Sequence, residues 1–311
     1  MSPRVTLVLP VYNGENYIEM AINSILSQSF ADFELVIMDN ASVDNTEAIC
    51  RSRAKDDSRI RYFRNERNLG AAPNYNLGFE RARGEFFKWC AHDDLISENY
   101  LELSVLALDR DPEAVMSYGP SQMIDERGNP APAESADVRK MDNPDAAWRF
   151  MSAVRTGGSC GAVFGLFRKS ALARSLLHQP YYSSDRALLA EMALLGRFVF
   201  IPDITFYNRA HVARSMSLPD RVARMKWIDA SAKNRLALER LPLLRQLFLI
   251  AWRHRQQTGL SRTIPPLACW AMAPNQLGSL GLEIISMIAP RLAQNIRTKR
   301  NKSNMSKVAS I

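Results

Sequence analysis

The chain is poor in the features that announce many common protein classes. Its four cysteines among 311 residues (Cys50, Cys90, Cys160, Cys269) lie far apart, with no CxxC and no histidine beside any of them at ligand spacing. This argues against a disulfide framework and a zinc site, and fits a reducing, cytoplasmic compartment. No window of 18 residues is apolar enough for a spanning helix; the nearest, Ile264 to Pro290, is interrupted by Asn275, Gln276, Gly278, Gly281 and Glu283. The apolar run at the N-terminus, Val5 to Val11, is a strand's length and runs straight into Tyr12-Asn13-Gly14, unlike a signal peptide. No GxGxxG or Gly-rich basic loop follows it, which speaks against a dinucleotide site and against a nucleotidyltransferase. Nucleic acid is not an expected partner, because no binding motif and no regular interleaving of aromatic with basic residues is present.

The remaining composition is that of a globular protein, 47% hydrophobic and 23% charged. The net charge of +8 is unevenly placed. Residues 1–220 carry 24 Lys and Arg against 29 Asp and Glu, a net of −5, whereas residues 221–311 carry 16 against 3, a net of +13. This divides the chain into a main domain, 1–220, and a basic, largely helical extension, 221–311.

Within the main domain, short apolar runs alternate with stretches of helical spacing. Strands are expected over Val5–Pro10, Phe33–Met38, Ile60–Arg64, Phe86–Ala91 and Ala114–Gly119. Helices are expected over Asn16–Gln28, Asn45–Ala54 and from Gly70 to Arg83. This order implies an α/β fold, a mostly parallel twisted sheet flanked by helices. Ser121 to Asn143, rich in Pro, Asp and Glu, reads as a long loop, and Ala162–Phe167 as a further strand. Ser183 or Ser184 is expected to cap the helix that carries Asp185 in its first turn.

Ligands bind such sheets at the carboxyl ends of the strands. Pro10 and Tyr12, Asp39, Asn68, and Asp93-Asp94 stand at four successive ends. Adjacent carboxylates repel and need a compensating positive charge, which a divalent cation shared with diphosphate oxygens supplies. Taken singly, Asp39 reads equally as a turn-forming residue, and Asp93-Asp94 as the start of a solvated loop.

Leu9-Pro10-Val11-Tyr12-Asn13, Asp39 to Thr46, Asn68-Leu69-Gly70 with Asn74, His92-Asp93-Asp94 and Ser184-Asp185 occur in the order and spacing of the family 2 glycosyltransferases. The chain resembles that family from Arg4 to about Ser217. The resemblance implies the GT-A (Rossmann-like) nucleotide-sugar-binding fold and inverting transfer of a sugar from a nucleotide-diphosphate donor, a UDP-sugar foremost. The acceptor would be a hydroxyl of a saccharide or lipid-linked saccharide in cell-surface glycan synthesis. It places Pro10 and Tyr12 on the base, Asp39 on its imide nitrogen, and Asn68 and Gly70 near base and ribose. Asp93 would hold the ribose hydroxyls or the metal, Asp94 and His211 would ligate Mn²⁺ or Mg²⁺, and Asp185 would be the catalytic base. Arg209 or Arg214 would assist from the side. His92 departs from the family pattern, standing at the first position of an Asp-x-Asp. That departure leaves room for a non-catalytic sugar-nucleotide-binding protein of the same fold.

The extension matches nothing in that pattern. Leu244, Leu247, Phe248 and Ala251 share a helical face edged by Arg245, Arg253 and Arg255, and Arg291 to Lys307 holds six basic residues and no acid. Two readings stand side by side: an anionic membrane surface at the inner face of the cell membrane, or helices packed on the main domain and followed by a basic tail.

Overall fold

A computed structural model describes residues 2–132, 141–155, 160–212, 214, 217, 218, 220–232 and 238–288. Its centre is a seven-stranded sheet. Strand β1 (Val5–Val11) lies between β2 (Phe33–Asp39) and β4 (Phe86–Trp89), and β3 (Ile60–Arg64) forms one edge. These four strands are parallel. The other edge is built from β6 (Ala114–Tyr118), β8 (Leu166–Arg168) and β9 (Arg197–Phe200), in the overall order β3-β2-β1-β4-β8-β6-β9. Strand β8 runs antiparallel to both of its neighbours. A small second sheet joins β5 (Leu95–Ile96), β10 (Phe206–Arg209) and β7 (Ser121–Ile124), in the order β5-β10-β7.

Strands covered on both faces read as unbroken apolar runs, and every residue of β1 and β2 is buried. Their alternate residues feed two cores. Leu7, Leu9, Leu35 and Ile37 meet α1 (Ile18–Leu26) and α4 (Tyr100–Arg110) through Ile22, Ile25, Leu101 and Leu108. Val8, Val36, Met38, Phe87 and Trp89 face the opposite core, which contains α5 (Ala146–Arg155) and α7 (Ser184–Leu195). Helices α2 (Thr46–Asp56) and α3 (Ala71–Arg81) complete the crossovers, and a four-residue α6 (Lys169–Leu172) follows β8.

The C-terminal segment supplies α8 (Arg221–Ile228), α9 (Arg240–Arg253), the short α10 (Arg255–Thr258), α11 (Leu260–Ala271) and α12 (Pro274–Ile288). Leu243, Leu247, Ile250 and Ala251 of α9 and Leu267 of α11 are buried in the same core as Leu188 and Met192 of α7. The reading of helices packed on the main domain therefore holds for α9 and α11. The basic run Arg291 to Lys307 lies outside the described residues.

Three local expectations change. Part of the predicted loop 121–143 is β7, followed by a turn in which Asp125 Oδ1 accepts the Arg127 and Asn129 N–H groups. The strand predicted at Ala162–Phe167 is a 3₁₀ turn, Gly161–Phe164, leading into β8, because the chain must reverse to enter the sheet antiparallel. Ser183 occupies the N-cap of α7, but its backbone is left-handed (φ 72°) and its side chain makes no capping hydrogen bond.

Candidate active site

The parallel register aligns Val11, Asp39 and Arg64 in one row at the carboxyl ends of β1, β2 and β3. The loops leaving these ends are tied to one another. Asn13 and Gly14 donate backbone N–H groups to Ser42 Oγ and Thr46 Oγ1 at 2.9 and 2.8 Å, and Val43 N–H donates to Asn13 Oδ1 at 2.9 Å. Four asparagines continue the stitching. Asn40 Nδ2 donates to Asn68 Oδ1 and Asn65 Nδ2 to Asn74 Oδ1 (both 2.9 Å), while Asn74 Nδ2 donates to the Met38 carbonyl.

Several residues assigned to the nucleotide thereby have structural partners. Asp39 is fully occluded; its carboxylate accepts the Ser42 N–H, the Tyr62 hydroxyl at 2.6 Å and Arg64 at 3.3 Å. Burial, followed by that hydrogen bond, pushes the Tyr62 pKa up, so the hydroxyl stays a donor. Asn68 Oδ1 also accepts the Gly70 N–H, at 2.8 Å. Gly70 sits at φ 91°, and a Cβ there would lie 2.6–2.7 Å from the backbone of Ile228, Asp229 and Ala230. Only glycine suits both the torsion and the contact. Pro10 is buried within β1, and Tyr12 stands exposed at its exit.

A cleft of about 390 Å³ opens beyond these strand ends. Asp93, Asp94 and Asp185 line it, with Tyr75, His178 and Trp227. Asp93 Oδ2 lies 2.8 Å from His211 Nε2, and the His211 ring rests 4.9 Å from that of Tyr17. Asp94 faces β10: Oδ1 accepts the Arg209 N–H at 2.8 Å and Oδ2 accepts from Asn208 Nδ2 at 3.3 Å. The two acids separate electrostatically. Burial opposes the charge on Asp93, but His92 and the His211 hydrogen bond prevail and lower its pKa. Asp94 is raised well above the ordinary range by burial and then by the Asp93 charge. Asp93 thus meets His211, while Asp94 beside it is engaged by Arg209 and Asn208.

His92 packs against Gly14, where a Cβ would lie 2.6 Å from its ring. Arg209 is a strut. Buried, it donates from Nε to the Asp93 carbonyl at 2.8 Å and from Nη1 to the Asp125 and Glu126 carbonyls at 3.1 and 3.0 Å. Arg214 lines the cleft.

Asp185 stands in the first turn of α7, where the helix dipole favours an anion. Burial raises its pKa, opposed by the Arg186 N–H (2.8 Å), the Arg186 charge and the Cys160 thiol hydrogen bond. The cleft therefore brings the adjacent acids Asp93 and Asp94, beyond the end of β4, together with Asp185 at the start of α7. Among the residues the sequence did not single out, His178 packs its ring edge-on against Trp89 and Tyr75, at 4.7 and 5.1 Å. Burial pushes its pKa down to about 4, so it is neutral at pH 7. No pattern around His178 could have signalled this, because its neighbours come from β4 and α3. Trp227 was equally hidden, since its place in the cleft depends on how the extension docks.

The comparisons agree with this architecture. The model of the family described as Glycosyl transferase family 2 matches residues 6–172. The GalNAc(5)-diNAcBac-PP-undecaprenol beta-1,3-glucosyltransferase of Campylobacter jejuni is 28% identical over 187 residues, 60% of this chain and 58% of that one. The chain spans 18–39% of the length of four uncharacterized Rickettsia glycosyltransferases to which it is 35–38% identical. Of solved structures, S. aureus TarS 1-349 in complex with UDP-GlcNAc superposes with a TM-score of 0.58 at 17% identity, covering 92% of this chain and 81% of that one. A Pyrobaculum calidifontis mannosyltransferase in complex with GDP-Man and Mn²⁺ gives 0.52 at 18% identity, covering 96% and 84%. At these identities the structural likeness speaks for the fold, which is GT-A, and the matched family model covers more than half of the sequence. The chain belongs to glycosyl transferase family 2.

Proposed function

We propose that this protein is an inverting glycosyltransferase that moves a sugar from a nucleotide diphosphate, a UDP-sugar foremost, to an acceptor hydroxyl in glycan synthesis. The observation that carries the reading is one cleft lined by a carboxylate paired with an imidazole, Asp93–His211, by the neighbouring Asp94, and by a carboxyl at a helix start, Asp185. Asp185 removes the acceptor proton as that oxygen bonds to the anomeric carbon. The bond from that carbon to the diphosphate oxygen breaks on the opposite face, and the nucleoside diphosphate leaves. Tyr12, exposed at the end of β1, offers a ring for the base. Arg209 keeps Asp93 in place through its main chain.

A divalent ion fits this donor set. Asp93 and His211 offer oxygen and imidazole nitrogen, ligands suited to Mn²⁺. Among the described residues no third His, Cys, Asp or Glu joins them into a closed cage. Such a partial set suits an ion that takes its remaining ligands from phosphate oxygens and water. Bound there, Mn²⁺ or Mg²⁺ would neutralise charge growing on the departing diphosphate. The Mn²⁺ in the Pyrobaculum neighbour supports the same reading.

The acceptor we propose is a saccharide or lipid-linked saccharide, as the name of the Campylobacter relative suggests. Among the described residues no helix is long and apolar enough to cross a membrane. Trp252, Leu277, Ile284 and Ile288 are exposed on the basic extension, which supports a peripheral role at an anionic membrane face. Co-sedimentation with phosphatidylglycerol vesicles that is lost in high salt would bear this out; equal sedimentation with neutral vesicles would not.

A panel of nucleotide sugars, read by thermal shift and slow donor hydrolysis with Mn²⁺, Mg²⁺ or EDTA, tests the enzyme. One donor should stabilise the protein in a metal-dependent manner that Asp93→Asn removes. Silence toward every donor would favour a non-catalytic protein.

A further inference from the structure

Beside the cleft, on the Asp185 side, lies a second cavity of about 180 Å³ lined by Tyr182, Ser183, Arg224, Glu239, Arg240 and Leu243. Tyr182 and Ser183 line both spaces, so the two adjoin two residues before Asp185. Charge around the second cavity is unbalanced. Arg224 Nε lies 2.8 Å from Glu239, and Arg221 lies 3.4 Å from both Glu239 and Glu283. Glu283, fully buried on α12, is further occupied by the N–H groups of Glu239, Arg240 and Leu241. Of the charged groups that line the cavity, two are guanidinium (Arg224, Arg240) and one is the Glu239 carboxylate, which Arg224 and Arg221 already engage. Among the described residues, no carboxylate forms an ion pair with Arg240. Burial and then the nearby Arg186 charge lower the Arg240 pKa, against the opposing pull of the Glu239 and Glu283 carboxylates. The Arg224 guanidinium also lies over the Tyr182 ring, 5.1 Å from its centroid, which fixes one wall.

We infer that this arginine-lined cavity holds a phosphate group of the acceptor, seating its hydroxyl toward Asp185. The inference rests on the transfer reading above and adds a substrate class to it: acceptors that carry a phosphate or diphosphate near the attacking hydroxyl. Guanidinium groups bind phosphate oxygens through paired N–H donors, and a half-buried cation without a carboxylate partner gains most from such a ligand. The phosphate could belong to a carrier lipid or to the glycan itself, and the chemistry at Arg240 is the same in both cases.

The test is calorimetric titration of the full chain, first saturated with UDP and Mg²⁺ so that the donor's diphosphate position is filled. Inorganic diphosphate and geranyl diphosphate are the two probes. Both should bind wild type, and Arg240→Gln should weaken them about tenfold or more, the scale of one lost charge-assisted contact. Arg240→Lys should retain most of the affinity, and UDP should bind all three proteins equally, which shows that the variants are folded. Tighter binding of geranyl diphosphate supports a lipid carrier, and equal binding supports a phosphorylated glycan. Undiminished binding to Arg240→Gln, or no binding of either probe to wild type, overturns the inference. Arg240-dependent diphosphate binding in a protein that ignores UDP would uphold the anion site and count against a UDP-sugar donor.

Discussion

A carboxylate that takes a proton near neutral pH works best when its own pKa is raised, and the burial of Asp185 does this. Asp185→Asn should lower the rate of transfer by about 10²–10⁴-fold, the usual contribution of a positioned base, while leaving donor affinity within about twofold. The sign of the pH effect follows. The base must be ionised, so kcat/KM should rise through an acid limb centred above the ordinary aspartate value of about 3.9. A limb at or below that value would remove Asp185 from the role. Lys88 makes a second case. It is fully buried in β4, bonded to the Phe164 carbonyl and set over the Tyr100 ring, and burial lowers its pKa to about 8. Below pH 8 its charge is a penalty on the folded state. Between pH 8 and 10.5 the unfolded chain holds a proton that the folded chain has lost, so stability rises with pH. The stability of wild type relative to Lys88→Met should therefore grow by up to ~3 kcal/mol as pH increases through that window, measured by urea unfolding.

At the scale of elements, the cleft is bounded by joints between segments distant in sequence. The Ala230 N–H donates to the Leu69 carbonyl at 3.2 Å, holding the end of α8 over the start of α3. Gly70→Ala places a Cβ into that joint at a left-handed torsion, so it should cost more than about 1 kcal/mol. It should also weaken donor binding, since Ile228 and Trp227 line the cleft from the displaced segment. Normal stability and donor affinity in Gly70→Ala would show that the joint yields freely. Glu283 fixes α12 to the start of α9 through three N–H groups and Arg221. Glu283→Ala should destabilise by about 1–3 kcal/mol, because it leaves part-buried N–H donors without their acceptor. Thermal and urea melts would measure that loss.

Considered as a whole, the molecule does not divide cleanly where its charge does. The break near residue 220 separates an acidic from a basic segment, yet α9 and α11 bury apolar residues in the core that also holds α7 and the central sheet. Urea unfolding should therefore show one transition, with far-UV dichroism and tryptophan fluorescence coincident, rather than a separate melt of the extension. Leu247→Ala, fully buried on α9, should lower stability by about 2–5 kcal/mol and shift that whole transition.

Local periodicity is the part that the sequence settles. Uninterrupted apolar runs separated by helical spacing dictate buried parallel strands and crossovers, and the ordered polar strand ends already place Asp39, Asn68, Asp93 and Asp94 at one edge of the sheet, whereas Asp185 enters only through the family resemblance. Periodicity records which side of an element is apolar and cannot say which distant partner a polar group meets. Tertiary structure alone decided that Asp39 is closed off by Ser42, Tyr62 and Arg64, and that Asp93, rather than Asp94, meets His211. It likewise brought His178 and Trp227 into the cleft and set Arg240 beside Tyr182 and Arg224. Hydrogen bonds and ion pairs act over a few ångströms, between groups that folding brings together from as far as 118 residues apart, and only the packed chain specifies them.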